Sequence, residues 1–145
     1  MFQALTSGMD MVGNLNTPES LSSEEEISLF KAGCKKFDQQ KFWHAHEDWE
    51  DLWNLLKRRD APKSEILLVQ GLIQTAALMV NHRKKKQRGV VNQWTKLQPK
   101  LNPYDVAWGI DINTHLQNIE KYSNDTTDWV LLEIPVYLPK IRKGD

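Results

Sequence analysis

The residues most capable of chemistry lie in one short stretch, WHAHEDWEDLW at residues 43–53, which combines histidines, carboxylates and tryptophans. His46 and Glu50 are four residues apart, so a helix would place their side chains on one face. An imidazole and a carboxylate at this spacing can bind Zn²⁺ or Fe²⁺, and Glu47 could act as a base toward a bound water. The stretch gives this face only one histidine, so a full set of metal ligands needs another element, with His82 as the candidate.

A second polar feature interrupts the apolar segment ILLVQGLIQTAALMV. Gln70 and Gln74 are four residues apart and share a helical face. If this helix packs antiparallel to the first, the row of His46 and Glu50 could meet these amides. A buried polar group without a partner costs about 1–3 kcal/mol, so we expect shared hydrogen bonds, a ligand or ordered water there. The candidate polar cluster comprises His46, Glu47, Glu50, Trp53, Gln70 and Gln74.

Helices are the elements that must position these residues, because apolar residues recur at three- and four-residue steps along most of the chain. Helices are expected to start after a capping box of Ser23 and Glu26, to cover residues 41–57 and 65–84, and to follow again at 90–101 and after Asp111. The pattern predicts an all-α fold: a single-domain bundle of about five helices. Residues 21–123 would form the bundle, residues 1–20 a loosely ordered leader, and residues 124–145 an extended, proline-containing C-terminal arm packed on the bundle.

Three further residues carry simple expectations. His44 lies on nearly the opposite side of its helix from His46 and can pair with Asp48, four residues on, at the surface. His115 is expected to face solvent. Ser64 is the predicted N-cap of the most apolar helix.

The bulk properties indicate an ordinary globular protein. The chain has 145 residues, 40% of them hydrophobic, and its 19 basic and 19 acidic residues give a formal net charge of +0. Such a balance makes nucleic acid or an anionic membrane an unfavourable main partner. The single cysteine, Cys34, excludes an intrachain disulfide and fits a reducing compartment. Residues 1–15 do not resemble a secretory signal, so we expect an intracellular, cytoplasmic location.

Two longer segments resemble a known family. FDQQKFWHAHEDWEDLW and QGLIQTAALMVNHRKKKQRG are similar to the two main motifs of an uncharacterised all-helical family, catalogued as domain of unknown function 309. The sequence departs from that family at Gln40, where glycine is usual, at His44, where an acidic residue is common, and within RKKKQ, which lacks the usual glycine. The resemblance implies a compact helical bundle and no established reaction. The matching signature positions are Phe37, Ala45, His46, Glu47, Glu50, Trp53, Gln70, Gly71, Gln74, Ala77, His82 and Gly89.

Three functions stay open from the sequence. The first is a non-catalytic binding or interaction protein that uses the polar cluster for a small polar ligand or a protein partner, with no cofactor; self-association into a homo-oligomer is compatible with it. The second is a metal-dependent hydrolase with a divalent metal on His46 and Glu50 and with Glu47 as base. The third is an RNA-associated protein that uses the basic segment Arg83–Arg88. A purely structural role, in which the cluster fixes helix register, is the plain alternative to all three.

Overall fold

Five α-helices and one short hairpin make up residues 21–141, the part of the chain that the computed structural model describes. This confirms the all-α bundle. The predicted leader at 1–20 and the last four residues of the predicted arm lie outside the described residues. The elements in chain order are α1 (Glu24–Asp38), α2 (Phe42–Arg58), α3 (Lys63–Arg83), α4 (Gln87–Leu101), β1 (Val106–Ala107), β2 (Ile110–Asp111) and α5 (Ile112–Ser123).

The start of α1 follows the predicted cap, with one change. The Ser23 hydroxyl accepts a hydrogen bond from the Glu26 N–H at 3.1 Å. The Glu26 carboxylate accepts from the N–H of Ser22 at 2.9 Å, not from that of the cap residue. It also accepts from Arg59 Nε at 2.8 Å, and this bond ties the start of α1 to the turn after α2. The bond from Arg59 is the largest cause that holds the pKa of Glu26 below its usual value.

The central helix is α3, which packs against α2 on one side and α4 on the other. Only four residues separate α2 from α3, so the two helices run antiparallel. At the far end of the pair, Arg83 donates to the Gln40 carbonyl at 2.7 Å and covers the ring of Phe42. The predicted Ser64 cap is wrong: α3 begins at Lys63, directly after Pro62, and no side chain caps it. Proline suits this boundary because it needs no N–H partner.

By length and composition alone, α3 is apolar enough to cross a membrane, and it is the one such helix among the described residues. Of its most apolar 18-residue window, 56% is buried inside the fold. Core helices of globular proteins meet the same criterion, so this finding is weak evidence for a membrane span.

The C-terminal arm contacts the hairpin and the turn after α1. Ile110 forms an isolated antiparallel bridge with Lys140, which adds the arm to the edge of the β1–β2 hairpin. Gln40 fixes the arm further along, since its side-chain amide donates to the Val136 carbonyl at 2.7 Å and accepts from the Val136 N–H at 3.1 Å. Gln40 has a φ of 64°, the left-handed conformation that glycine adopts most easily. The turn therefore keeps a glycine-like backbone, and the glutamine side chain adds the clamp on the arm.

Candidate functional site

The candidate site is built on one side of α2. Trp43, His46, Glu50 and Trp53 follow one another at steps of three, four and three residues, so they form a continuous row, here called the α2 ridge. The opposite side of α2 carries Asp48, whose carboxylate pairs with Lys36 of α1 at 2.7 Å. Since α2 packs between α1 and α3, the ridge lies on the side of α2 toward α3.

His46 and Trp43 form the outer end of the ridge. Their rings stack with centroids 5.1 Å apart and only 6° between the ring planes. Trp43 is 57% exposed, so one face of its indole meets solvent. The Nδ1 atom of His46 is buried and has no hydrogen-bond partner in the described part of the chain.

Trp53 lies two turns further along α2 and, like His46, has a buried ring nitrogen. Its side chain is partly buried, and its indole Nε1 is buried without a hydrogen-bond partner. The ammonium group of Lys57 lies over the indole ring, 3.4 Å from its centroid. His46 and Trp53 are seven residues apart, so about 10 Å of helix axis separates the two residues that carry the unpartnered nitrogens.

The carboxylates of the stretch stand at the surface. Glu47 and Glu50 are both exposed. Glu47 pairs with His44 Nδ1 at 3.3 Å, between two exposed side chains. The predicted pairing of His44 with Asp48 is wrong, because the Asp48 carboxylate forms an ion pair with Lys36 of α1.

The amides of α3 do not bond to the α2 ridge. Gln70 and Gln74 are partly buried, and the Gln74 side-chain oxygen accepts from Lys100 Nζ of α4 at 3.0 Å. Within residues 21–141 no hydrogen bond joins either glutamine to His46 or Glu50. The shared hydrogen bonds expected between the two helices are therefore not formed among the described residues, and Gln74 finds its partner on α4 instead.

A third unpartnered polar atom lies on the α4 side of α3. The Gln93 side-chain oxygen is buried and has no partner. On α4, Gln93 stands between Gly89, which packs tightly against Asn81 of α3, and Lys100, which bonds to Gln74. Both helices that pack against α3 therefore carry buried polar atoms without a hydrogen-bond partner among residues 21–141.

The three proposed metal ligands are not brought together. His82 is only 1% exposed and lies in the interior, where its Nε2 pairs with Asp125 Oδ2 at 2.8 Å. His46 stacks on Trp43 at the surface, and Glu50 is exposed beside it. Among the residues that the structure describes, no three His, Cys, Asp or Glu side chains are grouped so that they could hold one metal ion. The metal-dependent alternative stays a prediction.

Asp125 is a key polar residue that no motif or spacing in the sequence indicates. Its carboxylate also accepts from the N–H groups of Val130 and Leu131, each at 2.8 Å. Burial alone would raise the pKa of Asp125, but the hydrogen bonds from Leu131, His82 and Val130 outweigh it and lower the pKa. The residue joins the arm to α3 across 43 positions of sequence, and no local pattern indicates such a distant contact.

His115 is buried, not solvent-facing as predicted. It is 0% exposed, and its Nε2 lies 3.3 Å from the Thr75 hydroxyl of α3. Burial lowers its pKa from 6.5 to about 4. The sequence did carry the signal, because Ile112 and Ile119 precede and follow His115 at helical spacing and both are in the core.

The basic segment Arg83–Arg88 is exposed along its whole length. Arg83 is engaged by Gln40 and Phe42, and Lys85 adopts a φ of 55° in the turn between α3 and α4. The segment therefore serves as the connection between two helices, and its binding to RNA stays a prediction.

Comparison with known proteins agrees with the two sequence motifs. Residues 30–93 match the family described as Domain of unknown function (DUF309), a range that covers most of α1, all of α2 and α3, and the start of α4. No curated protein and no solved structure matches the chain. The matched range contains both segments that resembled the family, so residues 30–93 of this chain are similar to the DUF309 family, whose function is unknown.

Proposed function

We propose that the protein is a non-catalytic binding protein and that it recognises a segment of a partner protein along the α2 ridge. The observation that carries this proposal is the pair of buried ring nitrogens, His46 Nδ1 and Trp53 Nε1, that have no hydrogen-bond partner among residues 21–141. Leaving such groups unpaired costs about 1–3 kcal/mol each, and a bound segment that supplies the partners would recover that free energy.

The spacing of these nitrogens favours an extended segment over a small ligand. The two residues that carry them are about 10 Å apart along the helix axis, which corresponds to about three residues of extended chain. One face of the Trp43 ring is exposed at the end of the same row, and exposed tryptophans are frequent anchors of protein interfaces.

The charge of the surroundings favours a basic segment. Glu47, Glu50 and Asp51 are all exposed on α2. Of these, Glu47 pairs with the exposed His44 and with no other residue between 21 and 141. Lysine or arginine side chains of a partner would find complementary charge here, which raises specificity and association rate more than affinity.

The indole N–H of Trp53 gives a direct readout of this proposal. A library of short lysine- and arginine-containing peptides would be titrated into ¹⁵N-labelled protein while the tryptophan indole resonances are followed. We expect a binding peptide to shift the Trp53 indole N–H downfield, because the group gains an acceptor. Trp43→Ala should weaken binding by about tenfold or more, the usual loss at an interface anchor.

Tyr137→Ala is the matched control, because Tyr137 is also 57% exposed but lies in the C-terminal arm. It should leave peptide affinity unchanged. Shifts confined to another surface, or equal affinity in wild type and Trp43→Ala, would contradict the proposal. Shifts on the ridge that grow with protein concentration without peptide would identify a second copy of the chain as the occupant, which also contradicts it.

A further inference from the structure

A separate apolar cavity lies between α1, the β1–β2 hairpin and the arm. Its volume is about 540 Å³, within the range of small-molecule sites. Phe30, Cys34, Trp108 and Ile110 supply apolar walls. A smaller cavity of about 220 Å³ adjoins it and shares Phe30 and Trp108.

Positive charge is in excess around this cavity. Lys31, Lys35 and Lys140 line it together with one carboxylate, Asp38. Asp38 is already engaged, since it accepts from Lys140 Nζ and, at 2.8 Å, from the Leu138 N–H. Lys31 and Lys35 are exposed, are one helical turn apart, and have no ion pair within residues 21–141. Two cations are therefore left for an anion at the cavity.

The cavity wall is uncharged at Cys34, and its backbone is strained in the loop of the hairpin. Burial raises the pKa of the Cys34 thiol to about 12, so the thiol stays protonated and behaves as an apolar group. Trp108 and Gly109 form the two-residue loop of the hairpin and have φ values of 49° and 83°. A left-handed conformation is unusual for a residue as large as tryptophan. It holds the Trp108 ring edge-to-face against Phe30, with centroids 5.3 Å apart.

We propose that this cavity binds a small amphipathic carboxylate, with its apolar body against Phe30, Cys34 and Trp108 and its carboxylate near Lys31 and Lys35. The apolar walls suit the body of such a ligand, and the two unpaired ammonium groups complement its charge. The strained backbone at Trp108 fits this role, because such strain concentrates at functional sites. The site uses α1, the hairpin and the arm, so it is independent of the α2 ridge.

Decanoate is the probe that tests the proposal, with decanol as the uncharged compound of the same chain length. Calorimetry on the full chain should show one decanoate bound per chain and weaker binding of decanol. The Lys31→Gln/Lys35→Gln double variant should bind decanoate about fivefold less tightly, the effect expected for removing exposed charge pairs. Lys36→Gln is the matched control on the same helix, because Lys36 lies outside the cavity and pairs with Asp48.

Cys34 reports where the probe binds, since it is the only cysteine of the chain. Its rate of modification by a small thiol reagent, followed by mass spectrometry, should fall as decanoate saturates the protein and should fall less with decanol at equal concentration. Absent binding, equal affinity for decanol, equal affinity in the double variant, or an unprotected Cys34 would each overturn the proposal. Concentration-dependent dimerisation that protects Cys34 without decanoate would assign the cavity to a second copy and would overturn it as well.

Discussion

The buried His115 should make the stability of the protein depend on pH between the pKa values of its unfolded and folded states. The Thr75 hydroxyl donates to the Gly71 carbonyl at 3.1 Å, so it can only accept from His115. The neutral ring therefore carries its proton on Nε2, and Nδ1 is buried without a partner. A second proton on Nδ1 would create a buried cation whose new N–H has no acceptor, which is why burial lowers the pKa.

The sign and size of the effect follow from linkage. The pKa of His115 is about 4 in the folded chain and 6.5 in the unfolded chain, so the unfolded state takes up the proton first as the pH falls. This contribution to stability is complete above pH 6.5, decreases as the pH falls toward 4, and is constant below that. Between pH 7 and pH 5 the free energy of unfolding should decrease by about 2 kcal/mol.

Urea denaturation at a series of pH values measures this decrease. With slopes of about 1–3 kcal/mol per molar urea, the midpoint should fall by about 1 M between pH 7 and pH 5. His115→Phe removes the titrating group and keeps a ring beside Phe37, whose centroid lies 6.0 Å away. The variant should be within about 1 kcal/mol of wild type at pH 7, because it loses one hydrogen bond and also one unpartnered nitrogen.

The variant should lose most of the pH dependence in this window. His44→Gln is the control, because it removes an exposed histidine and should keep the wild-type dependence. Equal losses of stability between pH 7 and pH 5 in the wild type and in His115→Phe would refute the claim that His115 is buried in its neutral form.

Two further predictions concern the polar and tight contacts of the core. Asp125→Ala should lower the free energy of unfolding by about 3–5 kcal/mol, because it leaves His82 and two backbone N–H groups buried without an acceptor. The exposed Asp128→Ala should change it by less than about 0.5 kcal/mol, and equal effects of the two variants in chemical denaturation would disprove the difference. Gly33→Ala should cost about 1–3 kcal/mol, because the added Cβ would lie 2.3 Å from Nε1 of the buried Trp49; an unchanged melting temperature would show that this contact can relax.

Local patterns in the sequence were sufficient for the helices. The stripe of α2 and the nearly continuous apolar character of α3 depend only on residues a few positions apart, and both helices form close to their predicted ranges. The same spacing rule places Trp53 in one row with His46 and Glu50. His115 was expected to face solvent because it is polar. Its position between Ile112 and Ile119 places it in the core instead.

Contacts between distant segments could not be predicted from local spacing. The bond between His82 and Asp125 and the cavity beside Cys34 both depend on how the arm returns to the helices. The return is fixed by Gln40 and Asp38 at the end of α1, which bond to Val136 and Leu138 about 100 positions later. A single sequence contains no periodicity that reports a pairing over such a distance.

The two proposed sites differ in whether they could be found from local spacing in the sequence. The α2 ridge is a property of one helix, so its row of aromatic and charged residues could be found from spacing alone. The cavity exists only where α1, the hairpin and the arm meet, and Lys31 and Lys35 look like ordinary surface lysines until that meeting is known. Because the sites share no residue, Trp43→Ala should not change decanoate affinity, and the Lys31→Gln/Lys35→Gln variant should not change peptide affinity. If either variant lost affinity for both the peptide and decanoate, the loss would therefore indicate global destabilisation of that variant.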